Sequence, residues 1–549
     1  MASCAVEVTA APAIVRARAE SFLEKHFRLL AICIVAASCL LSIAFLATRN
    51  MYDDEVGSFH FILKPVAGIW QSANSSDFHP PGMYVLSHFF YSLTGSVRWT
   101  TIGPLAVLYT GLLVFYLATR KHFIHDKAAT LFFCALLFLH PQMLMWGNSI
   151  RWYPYWTGIA LVFLTIGLSL YRPANRETTP PSLWICGVLG LIAGALFYLN
   201  YMSLLFLASF AAAYVVRYSG KQLWKLLIIG STVLLLALPQ LVPFLTVHLP
   251  KRGLQQFSRL AAVARVFHAT FMSEAMLPWH PVALLFVGVV AAPLAVILLR
   301  QVRRGNLVWR SLGALFVVLF VLAAASGLGG KPRSFIVLAP IFAFLAATAF
   351  STTGLRYRIA ATVVMAGWIT FGIGHLLART GTAKGGMNDH PEEIVRYIAE
   401  KSAGRNAIVF LHDPALAYVL NDAGQPWTVV SVSGDAVHGL ASGEVRLKGT
   451  PAMEFVIQSY TGDQGEVAAK LDQRLRQARD IMTVAGSAKF GKDDQVAIKR
   501  LLPGLGDAGK LLPEYRFEVA YGHPNPGVTW ESFAPIFRWD KPVSVSGIR

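Results

Sequence analysis

The chain predicts an α-helical polytopic membrane protein of about eleven transmembrane helices, carrying a small C-terminal α/β domain outside the cytoplasm. Three observations lead there. Of its 549 residues 55% are hydrophobic and only 14% charged, against roughly 25% charged in soluble domains. Apolar runs of about twenty residues, the length of a helix crossing a bilayer, recur between Leu29 and Leu377. From Arg379 onward the composition becomes that of a soluble domain, with 20 Lys/Arg and 20 Asp/Glu.

The apolar runs fall at approximately 29–48, 100–119, 127–145, 152–171, 182–199, 201–217, 226–248, 281–299, 311–328, 334–350 and 359–378. With the N-terminus in the cytoplasm, 18 Lys/Arg lie inside and 10 outside, as the positive-inside tendency requires. The loops 49–99 and 249–280 and the segment 379–549 then face away from the cytoplasm. The first run follows Arg16, Arg18, Lys25 and Arg28 without a convincing cleavage site, so it reads as a retained helix.

The formal charge of +18 does not indicate nucleic acid. The neutral tail leaves all the excess in residues 1–378, in short loops at alternating helix ends, which is a topology signal. The cysteines, Cys4, Cys33, Cys39, Cys134 and Cys186, show no disulfide framework or zinc-ligand spacing.

Within loop 49–99, segments 56–70 and 83–93 read as helices along the membrane surface. The Ser/Asn stretch 72–76 separates them, and Pro80-Pro81 opens the second. In the tail, a Gly-rich linker (381–389) precedes helices at 391–402, 414–421 and 465–483 and strands at 407–411, 427–432 and 453–458. That alternation predicts the α/β domain. It contains no phosphate loop and no nucleophile elbow.

Acids are scarce: residues 1–378 hold ten, and four of them, Asp53, Asp54, Glu55 and Asp77, share the first outer loop. Carboxylates beside lipid are expensive and mark candidate sites. Loop 249–280 carries Lys251, Arg252, Arg259 and Arg265 against the single acid Glu274. A carboxylate can deprotonate a hydroxyl, and cations can hold a phosphate leaving group. Together they suggest transfer from a lipid phosphate on the outer face.

Asp54-Glu55 after the first apolar run, followed by Asp77-Phe78-His79-Pro80-Pro81-Gly82, resembles the first-loop signature of polyprenyl-phosphate-dependent glycosyltransferases of the GT-C type. The protein O-mannosyltransferases and lipid A aminoarabinose transferases are the nearest groups. Lys331-Pro332-Arg333-Ser334-Phe335 resembles the family's Arg/Pro-Tyr motif near the donor phosphate, with Ser334 in place of tyrosine. The resemblance covers roughly residues 29–378 and implies roles. Asp54 would be the base, with Asp53 as the register alternative, and Glu55 would orient the acceptor or Asp54. His79, Arg333 and Lys331 would contact the donor, with Arg252 and Arg259 of the cationic loop beside them. Asp77 would orient the acceptor. Asn148–Tyr153 stands where some members have a functional Asp, which leaves Arg151 as a donor contact there.

The implied reaction is an inverting transfer of a monosaccharide from a polyprenyl-phosphate donor to a hydroxyl of a glycolipid, glycan or protein. It requires neither nucleotide nor metal, and the acid cluster is able to hold a divalent cation. The bacterial inner membrane is the expected location. An anionic-lipid transporter or flippase is the rival reading; it predicts charges within the spans and repeat symmetry, neither of which is evident. Each signal also has an ordinary structural counterpart. The acids suit a solvated turn, His79 a helix cap, Lys331 and Arg333 snorkelling at the interface. Cations at 249–280 suit lipid headgroups generally, and Trp146, Trp152 and Tyr153 suit an aromatic belt.

Overall fold

The computed structural model describes residues 7–48, 53–76, 79–96, 98–124, 126–169, 183–218, 223–248, 259–303, 307–325 and 332–378, then 400 and the eight strands of the tail. By compactness the chain forms two units. One comprises Met1–Ala47, Trp70–Ser87 and Thr101–Leu377; the other comprises Thr48–Ile69, His88–Thr100 and Ala378–Arg549.

Among the described residues, every apolar run of the sequence forms helix. The helices are α1 (Glu7–Thr48), α2 (Asp53–Ile62), α3 (Val66–Ser76), α4 (Gly82–Thr94), α5 (Ile102–Phe123), α6 (Lys127–Phe138), α7 (Pro141–Gly147), α8 (Trp152–Ser169) and α9 (Leu183–Leu199). There follow α10 (Ser203–Tyr218), α11 (Leu223–Pro243), α12 (Arg259–Phe267), α13 (Pro281–Phe286), α14 (Ala292–Arg303), α15 (Leu307–Ala325), α16 (Leu338–Ser351) and α17 (Leu355–Leu377). Among the described residues, six stretches are long and apolar enough to cross a membrane: Lys25–Ala47, Trp99–Arg120, Lys127–Gly147, Leu223–His248, Pro281–Arg300 and Leu355–Leu377. The other five runs form shorter apolar helices, Trp152–Leu168, Leu183–Leu199, Ser203–Val215, Gly313–Ala323 and Leu338–Ser351. The chain is a helical, multi-pass membrane protein.

Helix α16 is buried from Leu338 to Phe350, as an all-round apolar helix should be. Close backbone contact sets two of the pairings. A Cβ on Gly158 of α8 would lie 2.3 Å from the Val107 carbonyl oxygen of α5, and one on Gly111 would lie 2.2 Å from that of Gly158. Along α9, Cβ atoms on Gly190 and Gly194 would meet Thr232 and Leu236 of α11 at 2.5 and 2.6 Å. Small residues at such crossings let helices approach without hydrophobic driving force from lipid.

Asp126 caps α6, accepting from Ala128 N at 2.8 Å and Ala129 N at 3.4 Å. Its other oxygen pairs with the Arg358 guanidinium, which also donates to the Ser351 carbonyl. The loops before α6 and α17 therefore lie at the same end of the bundle, as the alternating topology requires.

The first outer loop differs from its expected helices. Segment 56–70 is not continuous: α2 stops at Ile62 and α3 starts at Val66, because Pro65 cannot donate within a helix. Stretch 72–76 is part of α3, where Asn74 Oδ1 accepts from Gln240 Nε2 of α11 at 2.6 Å. Helix α4 opens after Pro80-Pro81 as expected, with Val85 N bonding Pro81 O at 3.0 Å.

The described residues of the tail are strands: β1 (Ala407–Leu411), β2 (Trp427–Val432), β3 (Phe455–Ile457), β4 (Asp480–Val484), β5 (Leu511–Tyr515), β6 (Glu518–Gly522), β7 (Thr529–Phe533) and β8 (Ile536–Trp539). A six-stranded sheet runs β3-β2-β1-β4-β8-β5, parallel through β3-β2-β1-β4 and antiparallel at β8, and β6-β7 form a separate pair. The first three strands match their expected positions. Residues 480–483, expected at the end of a helix, belong to β4, whose Ile481-Met482-Thr483-Val484 pairs in parallel with β1. The tail helices expected at 391–402 and 414–421, and the rest of 465–483, lie outside the described residues, apart from Glu400, which is helical.

A buried arginine, histidine and aromatic cluster as candidate functional site

Asp53, Asp54 and Glu55 are the first three residues of α2, where unpaired N–H groups and the helix dipole favour carboxylates. Glu55 is fully buried, on one face with Ser58, Phe59 and Ile62 at the i+3, i+4 and i+7 positions. Asp77, Arg252 and Lys331 lie outside the described residues. Arg259 opens α12 and is exposed.

Three expected donor contacts, His79, Arg151 and Arg333, are buried in the helical unit. His79 precedes α4, whose start is pinned by Gly82: a Cβ there would lie 2.5 Å from the Tyr198 carbonyl oxygen of α9. That contact explains the glycine after Pro80-Pro81. Arg151 ends the four-residue turn between α7 and α8, and its Nη2 lies 3.0 Å from His79 Nε2. On the other side of the imidazole, Asn200 Nδ2 lies 3.2 Å from His79 Nδ1.

The Arg151 guanidinium has no lone pair to offer, and Asn200 Oδ1 accepts from Met202 N at 2.8 Å, so both neighbours turn N–H groups toward the imidazole. A buried cation and an amide N–H beside a histidine form a polar setting that suits an anionic oxygen.

Arg333 lies in a short 3-10 turn, Pro332–Phe335, ahead of α16. Its guanidinium sits over the Trp146 ring at 5.3 Å and the Tyr153 ring at 5.6 Å, two rings that meet edge to face at 5.7 Å. Such cation–π contacts gain strength when desolvated. Arg333 is 8% exposed and Arg151 7%, so neither snorkels at an interface. Trp146, Trp152 and Tyr153 are also buried and form no aromatic belt. The rings link the two arginines, since Trp152 lies 6.5 Å from His79 and 4.5 Å from Tyr153.

Asn200, Gln142 and the role of Trp146 carry no local signature along the chain. Glu274 stood out only as the lone acid of a cationic loop. Its Oε2 accepts from Gln142 Nε2 at 2.6 Å and Trp146 Nε1 at 2.8 Å. Just before it, Ser273 has φ 76 and ψ 138, a conformation costing a non-glycine residue about 1–3 kcal/mol. Nearby His268 Nε2 donates to the Met276 carbonyl, 2.9 Å away. Burial pushes its pKa down, offset in part by Glu274 and that carbonyl.

Fold comparison identifies the scaffold. ArnT from Cupriavidus metallidurans in the apo state superposes with a TM-score of 0.57 at 13% identity, covering 94% of this chain and 99% of that one. The chain has the fold of ArnT. The same enzyme bound to undecaprenyl phosphate superposes with a TM-score of 0.56 at 14% identity over the same shares of both chains. ArnT belongs to the GT-C aminoarabinose transferases that the first-loop motifs resemble. Archaeal oligosaccharyltransferase AglB from Archaeoglobus fulgidus, in complex with an inhibitory peptide and a dolichol-phosphate, gives a TM-score of 0.47 at 12% identity, covering 93% of this chain and 74% of that one. No family model and no curated protein sequence matches the chain.

Proposed function

We propose that this protein is an inverting glycosyltransferase that moves a monosaccharide from a polyprenyl-phosphate donor to an acceptor hydroxyl, on the outer face of a bacterial inner membrane. The observation that carries the reading is the buried group of His79, Arg151, Asn200 and Arg333, inside a fold whose relative ArnT binds undecaprenyl phosphate. Buried cations suit a phosphate that must be desolvated and then released.

In this mechanism Asp54 takes the acceptor proton as the acceptor oxygen bonds to the anomeric carbon. The bond from that carbon to the phosphate oxygen breaks on the opposite face, and the polyprenyl phosphate leaves with the electron pair. Arg333 and Arg151 stabilise the charge that develops on it. Glu55 orients the acceptor or Asp54, Asp53 stands in for Asp54 if the register shifts by one, and Asp77 helps to orient the acceptor. Lys331, Arg252 and Arg259 are further candidates for attracting the anionic donor. The acceptor is a glycolipid, glycan or protein. No step is assigned to a metal.

Mass analysis of membrane glycans and glycolipids from cells lacking the chain would name the missing sugar and its acceptor. With that pair in hand, Asp54→Asn should lower transfer by about 10²–10⁴-fold, the usual contribution of a general base, while donor binding persists. Near-normal transfer by Asp54→Asn sinks the base assignment. Arg333→Ala should weaken donor affinity roughly 10- to 100-fold, as loss of a charge-assisted hydrogen bond predicts; unchanged affinity removes Arg333 from the phosphate site.

A further inference from the structure

Gln142 and Trp146 are one turn apart on α7 and so share a face. Both donate to Glu274 Oε2, Gln142 Nε2 at 2.6 Å and Trp146 Nε1 at 2.8 Å. The same Gln142 amide accepts through Oε1 from Glu274 N at 2.7 Å and Ser273 Oγ at 3.3 Å. Its carboxamide is thus fixed in one orientation, holding the main chain and side chain of one residue. The positive φ of Ser273 is part of this clamp, because both the N–H and the carboxylate of Glu274 face α7. A strained backbone of this kind persists only where its surroundings over-determine it.

The clamp holds one edge of the Trp146 indole, and the ring face carries Arg333 at 5.3 Å. Turning the indole about its side-chain bonds would break the Nε1 bond and withdraw the face from the guanidinium. The cation–π attraction depends on that face being presented. The carboxylate therefore reaches the arginine through the ring between them.

We infer that Glu274 is a positioning residue for Arg333, holding the Trp146 indole as the platform that aims the guanidinium at the donor phosphate. This rests on the proposed role of Arg333 in binding that phosphate. Glu274 touches no reacting atom in this scheme, so its loss should be felt in affinity for the lipid phosphate and not in the chemical step. A residue that merely stabilised the fold would lower the melting temperature and leave the affinity of the folded fraction intact.

The experiment is a mutant cycle on the full-length protein in nanodiscs, with undecaprenyl phosphate as the probe and a melting curve for each variant. Glu274→Ala removes the acceptor, Glu274→Gln keeps an oxygen for the indole N–H, and Trp146→Phe keeps a ring while deleting that N–H. Glu274→Ala and Trp146→Phe should each weaken binding about tenfold, and the double variant should be no worse than the weaker single, because both remove one shared interaction. Glu274→Gln should recover most of the affinity, and Glu274→Ala should have no further effect in an Arg333→Ala background. If Glu274→Ala fails to fold, Glu274→Gln and Trp146→Phe complete the comparison with Arg333→Ala. The assignment is overturned by normal binding in Glu274→Ala, by losses that multiply in the double variant, or by Trp146→Phe weakening binding further in the Arg333→Ala background. A wild-type protein that does not bind undecaprenyl phosphate overturns the functional reading and this assignment with it, whereas normal wild-type binding with an indifferent Glu274 overturns this assignment alone.

Discussion

In the proposed donor site Asn200 contributes an amide without carrying charge. Its oxygen is held by Met202 N and its nitrogen lies 3.2 Å from His79 Nδ1. Asn200→Asp would replace the facing N–H with an acceptor and place a carboxylate near Arg151. Donor affinity should then fall tenfold or more, because the internal carboxylate competes with the phosphate for the same donors, while the melting temperature is held or raised. Titration with undecaprenyl phosphate alongside a melting curve checks both halves. Unimpaired binding would show that the Asn200 amide has no bearing on the ligand.

At the level of elements, α8 carries the site, since it begins at Trp152 directly after Arg151 and continues through Tyr153. Its position depends on Gly158, where a methyl group would collide with main-chain carbonyl and Cα atoms of α5. Backbone cannot step aside as a flexible side chain can, so Gly158→Ala should destabilise the protein by about 1–3 kcal/mol and move Arg151 relative to His79. Thermal unfolding in detergent measures the first effect, and weakened lipid-phosphate binding measures the second. A variant as stable as the wild type would mean that the helices separate at little cost. The helices themselves were legible because twenty-residue apolar runs need no partner to be recognised. The break at Pro65 was legible in principle and overlooked, while the helical state of 72–76 was not, because the Asn74–Gln240 bond spans 166 positions. The same distance problem hid the roles of the aromatic residues. Trp146 and Tyr153 sit near helix ends, where a belt is the ordinary expectation, and only the fold brings Arg333 onto their faces.

For the whole molecule, the two ends of the bundle are built from different interactions, and this bears on how the protein responds to acid. At one end Asp126 and Arg358 join loops with a capped helix and an ion pair. At the other, half-buried His268 lies beside Glu274, and His280 precedes α13; desolvation lowers both imidazoles from their ordinary value of 6.5. A histidine lowered in the folded state binds its proton more readily once unfolded. Neither residue penalises the fold above pH 6.5. Below that value the unfolded chain takes up protons first, and the penalty grows until the pH reaches the lowered folded-state value. The melting temperature of the purified protein should therefore fall on acidification from neutral pH towards pH 5. His268→Gln, which keeps a group able to bond the Met276 carbonyl, should flatten that slope. The loop that holds His268 also holds the Glu274 clamp, so lipid-phosphate affinity should decline over the same pH interval in the wild type and less steeply in the variant. A melting temperature that is level or rises as the pH falls would show that these two imidazoles do not govern the acid limb.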